Sequence, residues 1–330
     1  MIAEERSDKH KRNEQVEACL KSLETLLGPV AREKQAEFTS AAHPVIFIMG
    51  CARSGTTVLH QVLAQQLNCC YPSNFISRFY YAPYIGALLQ KLMYDLDFKG
   101  ELLNDSSEPG LSSLLGKTKG ALGPNEFWYY WRRYFEFGAT QKLDEDNLSA
   151  AAVREFANGL YSIQGVFEKP LVLKGMILNW NIPFLQKSVE KSFFIFIERD
   201  LLYNAQSLYL ARKEFYQDEK KWYSFFPEEY PLLRGKEPEE QVVAQAFYTN
   251  RAIRRGLEQL LPEQYLHISY SDFCSNPDAV TDALCRKTSC ERKKPSFSGK
   301  LLEGNEIKVE KTVWEKLQLY AGKYASEYGN

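Results

Sequence analysis

The stretch PVIFIMGCARSGTTVLHQVLAQQL, Pro44–Leu67, decides the fold. Val45, Ile46, Phe47, Ile48 and Met49 form an unbroken apolar run of strand length, as expected of a central parallel strand covered on both faces. Gly50 ends that strand, and Gly55 opens a helix on which Val58, Leu59, Val62 and Leu63 share one face. Strand, glycine-bounded loop and helix start together make an anion site. The first helical turn has backbone N–H groups without partners, and the helix dipole adds partial positive charge. A phosphate group is the expected ligand.

What is missing from the loop narrows the ligand. A nucleoside-triphosphatase loop reads G-x-x-x-x-G-K-[ST], its lysine reaching the terminal phosphates and its hydroxyl holding magnesium. Here the loop is Gly50-Cys-Ala-Arg-Ser-Gly-Thr-Thr57, and Thr56 stands at the lysine position. The cation lies within the loop, at Arg53, where a guanidinium forks onto phosphate oxygens without completing the lysine and magnesium arrangement. ATP hydrolysis is disfavoured. Instead, Arg53-Ser-Gly-Thr-Thr57 resembles P-[KR]-S-G-T-T, the 5′-phosphosulfate loop of the sulfotransferases that use 3′-phosphoadenosine-5′-phosphosulfate (PAPS), with Ala52 in place of the proline. The resemblance implies that Arg53, Ser54, Gly55, Thr56 and Thr57 bind PAPS, that Arg53 also takes part in catalysis, that the product is PAP, and that no metal is required.

The second half of the chain alternates strands and helices. Leu171–Leu173 is a short apolar strand ending at Lys174-Gly175, Phe193–Ile197 is a second, and Tyr265–Ser269 a third, with helices between them. This rhythm predicts right-handed parallel crossovers and an α/β fold: a three-layer sandwich around a central parallel sheet, of the P-loop nucleotide-binding type. Arg199 at a strand end and Ser207 eight residues later resemble the arginine and serine with which sulfotransferases hold the donor's 3′-phosphate. A planar guanidinium and an early-helix hydroxyl suit that anion. Tyr270-Ser-Asp-Phe-Cys-Ser-Asn-Pro277 is similar to the family's Y-E-D-[LM]-x-x-x-P, which implies that Tyr270 lies near the adenine. Lys174 corresponds to the lysine of K-T-H-L-P, implying a contact to the sulfonate, but Met176 stands where that motif has its catalytic histidine.

The catalytic base must therefore come from elsewhere. Gly123–Phe137, GPNEFWYYWRRYFEF, reads as an aromatic-faced helix with Glu126 in its first turn. Trp128, Tyr129 and Trp131 are its candidate acceptor-pocket walls, and Glu126, enclosed among rings that would raise its pKa, the candidate base. His60, one turn into the phosphate-loop helix, is the next choice. His43 and His267 fall away from the ligand edge, and His10 lies in a polar arm. Residues 99–125, rich in Gly, Ser, Asn and Pro, read as a loop that orders over a ligand.

At the chain's ends, residues 1–40 are expected to form a helical extension broken at Gly28-Pro29, and residues 296–330 a loop and helix. Residues 41–295 form the α/β domain, carrying a largely helical insertion over 71–165. Asp144–Ala157 reads as an exposed helix with acids in its first turn, Arg251, Arg254 and Arg255 as a solvated face, and residues 217–245 as an uninformative exposed insertion.

With 41 basic and 42 acidic residues the net charge gives no reason to expect nucleic acid. Seven cysteines without a C-x-x-C pair read as reduced thiols, and no segment reads as a signal peptide or membrane span, so a cytoplasmic protein is expected. The implied acceptor is a hydroxyl on a small molecule, lipid or carbohydrate. A nucleotide-binding protein without catalysis and a P-loop small-molecule kinase are the competing readings.

Overall fold

A computed structural model describes residues 13–97, 111 and 113–328. Its centre is a parallel sheet in which β1 (Val45–Met49) lies between β4 (Leu171–Lys174) and β5 (Ser192–Glu198), with β6 (Tyr265–Ser269) outside β5. The register places Ile48 beside Lys174 and Ile195, and Glu198 beside Ser269, so all four strands end at one edge. Every residue of β1 is buried because alternate side chains enter two separate cores. Val45, Phe47 and Met49 join Phe194 and Phe196 on one face; Ile46 and Ile48 join Ile195 and Ile197 on the other. This is the three-layer α/β architecture expected.

The first face is covered by α5 (Ala150–Phe167), α6 (Ile182–Ser188), α7 (Leu201–Tyr216) and α9 (Pro238–Leu257). The second is covered by α2 (Thr56–Gln66), α10 (Tyr270–Ser275) and α11 (Pro277–Thr288). The chain thus leaves β1 toward one face and β4 toward the other. That divergence opens a crevice at the carboxyl ends of adjacent strands, where sheets of this kind bind ligands. α12 (Lys311–Tyr328) packs on α7 and α9.

Several expectations need correction. α1 (Glu14–Gln35) runs straight through Pro29 instead of breaking there. Burial of Leu20, Gly28, Ala31 and Gln35 outweighs the roughly 3 kcal/mol that an interior proline costs a helix. The residues Glu145–Asn147 form a separate short turn; α5 starts only at Ala150 and is not an exposed helix, since it buries Phe156, Leu160 and Ile163. Two of the three arginines of α9 are paired rather than simply solvated, Arg251 with Glu229 at 2.7 Å and Arg254 with Glu198, while Arg255 is exposed as expected.

The aromatic helix is shorter than expected. α4 spans only Trp128–Tyr134 and follows Phe127, whose φ is 57°. The residues before it are pinned to the segment after β1: Asn125 N–H donates to Pro72 O at 2.7 Å, and Asn125 Nδ2 to Asn74 Oδ1 at 2.7 Å. Glu126 consequently projects from an irregular segment and is not in a helical first turn.

Of the loop expected over 99–125, residues 99–110 and 112 lie outside the described residues. The rest contains a hairpin, β2 (Ser113–Leu114) and β3 (Lys117–Thr118), turning through Leu115 and Gly116 with φ of 47° and 88°. Such a two-residue, positive-φ turn matches strand twist, and Gly116 adopts its share without strain.

Candidate functional site

The loop after β1 is braced by two buried asparagines. Asn179 receives the Gly50 N–H at 3.3 Å and donates to Gly50 O at 2.8 Å, and Asn204 donates to Ala52 O at 2.8 Å. With its ends fixed, the loop holds Arg53 at φ 70°, a conformation that costs a non-glycine residue about 1–2 kcal/mol. Ser54 Oγ is buried inside the loop without a hydrogen-bond partner. A buried orphan hydroxyl, positive-φ residues and a free helix start together fit an anionic ligand.

Arg53 and Arg199, 146 residues apart, meet here. Arg53 Nε donates to Ser207 Oγ at 3.2 Å, and Arg199 Nη1 reaches Arg53 O at 3.5 Å. Neither guanidinium forms an ion pair with a carboxylate among the described residues. Burial pulls the Arg199 pKa down from its ordinary value, and the Arg53 charge adds to that effect while Tyr270 opposes it. Two adjacent cations, neither in contact with a carboxylate among the described residues although Asp200 acts on Arg199 from a distance, favour an anion between them.

Tyr270 lies where Arg199 and the loop converge. The Arg199 guanidinium sits 5.1 Å from the Tyr270 ring centroid, and the same ring leaves no room for a side chain at Gly55. The carboxyl-terminal segment closes over this corner: Arg199 Nη2 donates to Gly304 O at 2.9 Å and Glu303 O at 3.3 Å, and Tyr270 Oη donates to Leu302 O at 3.3 Å. Beside it opens a cavity of about 410 Å³, lined by Arg199, Leu201, Ser269, Tyr270, Ser271 and Asn305 among others.

A second cluster surrounds Lys174. Its ammonium, 4% exposed, donates to Thr57 Oγ1 at 2.5 Å and Glu126 Oε1 at 2.7 Å. Glu126 also accepts from Trp128 Nε1. At 23% exposure and paired with Lys174, Glu126 does not have the enclosed apolar setting expected from its aromatic neighbours. The turn of the β2–β3 hairpin lies against it: a Cβ on Gly116 would come within 2.8 Å of Glu126 Oε1. Trp128 and Trp131 line the adjoining cleft with Met176, whose sulfur accepts from Thr56 Oγ1 at 3.1 Å. Tyr129 is not a wall of this cleft; it stacks on Tyr80 and donates to Glu17 at 2.5 Å.

The site therefore brings together Arg53–Thr57, Arg199, Ser207 and Tyr270 in one group and Glu126, Lys174 and Thr57 in another, with the loop shared between them. Sequence reasoning missed Asn179, Asn204, Tyr223 and Phe225. Burial pushes the Tyr223 phenol up to about 12, opposed by Arg53 and reinforced by Glu126, which places Tyr223 within electrostatic reach of both clusters. Only the position of Asn179, one short turn beyond Lys174 at the end of β4, carried any signal.

His60, the second candidate base, is enclosed in the core. It is buried, its Nε2 lies 3.2 Å from Val172 O, and burial, with Lys174 second, lowers its pKa to about 3. A group kept neutral in the folded state but titrating near 6.5 when unfolded stabilises the protein fully above pH 6.5. That contribution, a few kcal/mol at most, is lost as pH falls from 6.5 toward 3. His60→Gln is expected to flatten the pH dependence of urea-unfolding stability across that window. An unchanged slope would assign the acid sensitivity to other groups. His267 pairs with Glu198 at 2.9 Å and stacks on Phe196, and contrary to the expectation that it falls away from the ligand edge it lines the cavity beside Arg199 and Tyr270.

The α/β sheet with this anion loop has a P-loop-like architecture. A sulfotransferase family model matches residues 44–293, so the chain belongs to the sulfotransferase family, whose members transfer the sulfuryl group of PAPS. Among solved structures, sulfotransferase STF1 from Mycobacterium tuberculosis H37Rv shares 15% identity over 81% of this chain and 73% of its own, at a TM-score of 0.50. The sulfotransferase from Alicyclobacillus acidocaldarius shares 15% identity over 87% and 94%, at a TM-score of 0.45. No curated protein matches by sequence. No helix among the described residues is long and apolar enough to cross a membrane.

Proposed function

We propose that this enzyme transfers a sulfuryl group from PAPS to an acceptor hydroxyl, with the donor held between the Arg53 loop and Arg199. The observation that carries the reading is the meeting of two guanidiniums unpaired by carboxylates among the described residues, Arg53 bonded to Ser207 and Arg199 to the Arg53 carbonyl, at the mouth of the sheet. Arg53, Ser54 and the amides through Thr57 suit the 5′-phosphosulfate. Arg199 and Ser207 suit the 3′-phosphate, and Tyr270 the adenosine between them. PAPS supplies a sulfuryl group already activated by its phosphate leaving group. Lys174 supplies fixed positive charge where sulfonate oxygens gain charge, and Glu126, 2.7 Å from it, receives the acceptor proton.

Calorimetric titration with PAP and with ADP, each with and without magnesium, tests the donor. Tighter, magnesium-independent binding of PAP is expected; a preference for ADP that depends on magnesium would support the kinase reading instead. For the base, Glu126→Gln keeps an acceptor for Lys174 but loses proton affinity. Radiolabel transfer from PAPS to a panel of phenols, sterols and sugars is expected to fall about 10²–10⁴-fold at unchanged PAP affinity. Full turnover by this variant would dismiss Glu126. Met176, in place of the family's histidine, favours one second reading: a protein that binds PAP and transfers nothing to any acceptor.

A further inference from the structure

The loop between α7 and α8 (Tyr230–Leu233) carries no legible sequence signal, yet it reaches the Lys174 cluster. Phe225, 3% exposed, stacks on Trp128 at 5.4 Å and meets Trp180 edge-on at 6.4 Å. It closes a cleft shared with Glu126, Trp128, Trp131, Lys174 and Met176. The space left is about 10 Å³, the size that admits a single water molecule.

This loop is held from behind by an unusual set of groups. Ser224 at φ 70° turns the chain, and Gln245 Nε2 donates to the carbonyls on either side, Tyr223 O at 2.7 Å and Phe225 O at 3.0 Å. Trp222 Nε1 donates to Phe225 O at 2.9 Å. Arg212, fully buried, donates to Gln241 Oε1 at 2.7 Å, Gln245 Oε1 at 3.5 Å and Glu219 O at 3.3 Å, and lies 4.8 Å from the Trp222 ring centroid. Burial lowers its pKa to about 10, which leaves it charged at neutral pH. Burying a guanidinium against neutral groups is costly, and far more than is needed to tether a surface loop. What it fixes in place is the ring over the cleft.

We infer that Phe225 is a plug on the acceptor side of the site: with Trp128 it keeps out all but a single water and sets the width of the entering hydroxyl, while Arg212 and Gln245 are positioning residues that keep it seated. This rests on the sulfotransferase reading above and extends it to acceptor class. With the ring seated, the remaining space admits one water-sized group, the reacting hydroxyl itself; a fused-ring alcohol does not fit behind the ring. With the plug gone, water takes the acceptor's place. Its oxygen bonds to sulfur as the sulfur–oxygen bond to the phosphate breaks, one proton passes to Glu126 and on to solvent, and PAP and hydrogensulfate are released, the latter losing its second proton to solvent as sulfate.

The test compares wild type with Phe225→Ala, Gln245→Met and the conservative Phe225→Leu. Three quantities are measured: sulfate release from PAPS without acceptor, PAP affinity by calorimetry, and acrylamide quenching of tryptophan fluorescence without nucleotide. Phe225→Ala and Gln245→Met are expected to raise acceptor-independent hydrolysis on the order of tenfold and to increase quenching, at unchanged PAP affinity, with Phe225→Leu close to wild type. Wild-type hydrolysis and quenching in variants that still bind PAP would overturn the plug. Failure of the wild-type enzyme to bind PAP is a separate outcome, which removes the donor reading and the plug with it.

Discussion

Gly55→Ala is expected to weaken PAP binding by about 10²–10³-fold and to lower the melting temperature, through the effect of one methyl group. Gly55 sits at φ 99°, a region that charges an alanine about 1–2 kcal/mol before any contact is counted. The added Cβ would also lie 2.3 Å from Tyr270 Cδ2 and 2.4 Å from Cε2, closer than carbon atoms approach. Either the loop or the ring must move. If the ring moves, it takes with it the platform under Arg199 and the hydrogen bond to Leu302 O. If the loop moves, the amides after Arg53 lose their aim. Calorimetry with PAP beside thermal unfolding separates the two losses, and unchanged PAP affinity would show that this loop is not where the donor binds.

Arg199→Met is expected to cost PAP affinity selectively. Truncating one partner of a buried, hydrogen-bonded charge pair costs about 2–5 kcal/mol, or between about 30-fold and a few thousand-fold in affinity. ADP has no 3′-phosphate, so its binding should change little in the same variant. Arg53→Met, at the shared loop, should weaken both ligands. An equal loss of PAP and ADP affinity in Arg199→Met would deny Arg199 the reading of the 3′-phosphate. Methionine retains the apolar stem over the Tyr270 ring, so the comparison isolates the charge.

The parts of the molecule that were legible in the sequence are those with short-range physical signatures. β1, the loop and α2 are written in a run of apolar residues, two glycines and a one-sided helix, and their boundaries follow. Arg199 and Ser207 lie at a strand end and on the next helix, so the sheet alone brings them to the right edge. Glu126 was located but not its setting. Its segment is shaped by hydrogen bonds from Asn125 to Pro72 and Asn74, about fifty residues back, which no periodicity encodes. Phe225 was invisible for the same reason. Its position depends on Gln245 and Trp222, and a charged, proline-punctuated loop gives no sign that glutamine amides from a later helix will fix its carbonyls.

The carbonyls of Glu303 and Gly304 accept from Arg199 Nη2, one arm of the guanidinium that suits a phosphate. If the proposed 3′-phosphate takes that arm, its entry and the release of that strap are a single exchange of acceptors on one guanidinium. A nucleotide that arrives faster than the strap lets go must wait for it, so association rates measured by stopped flow should level off at high nucleotide concentration. The plateau is the strap's own opening rate.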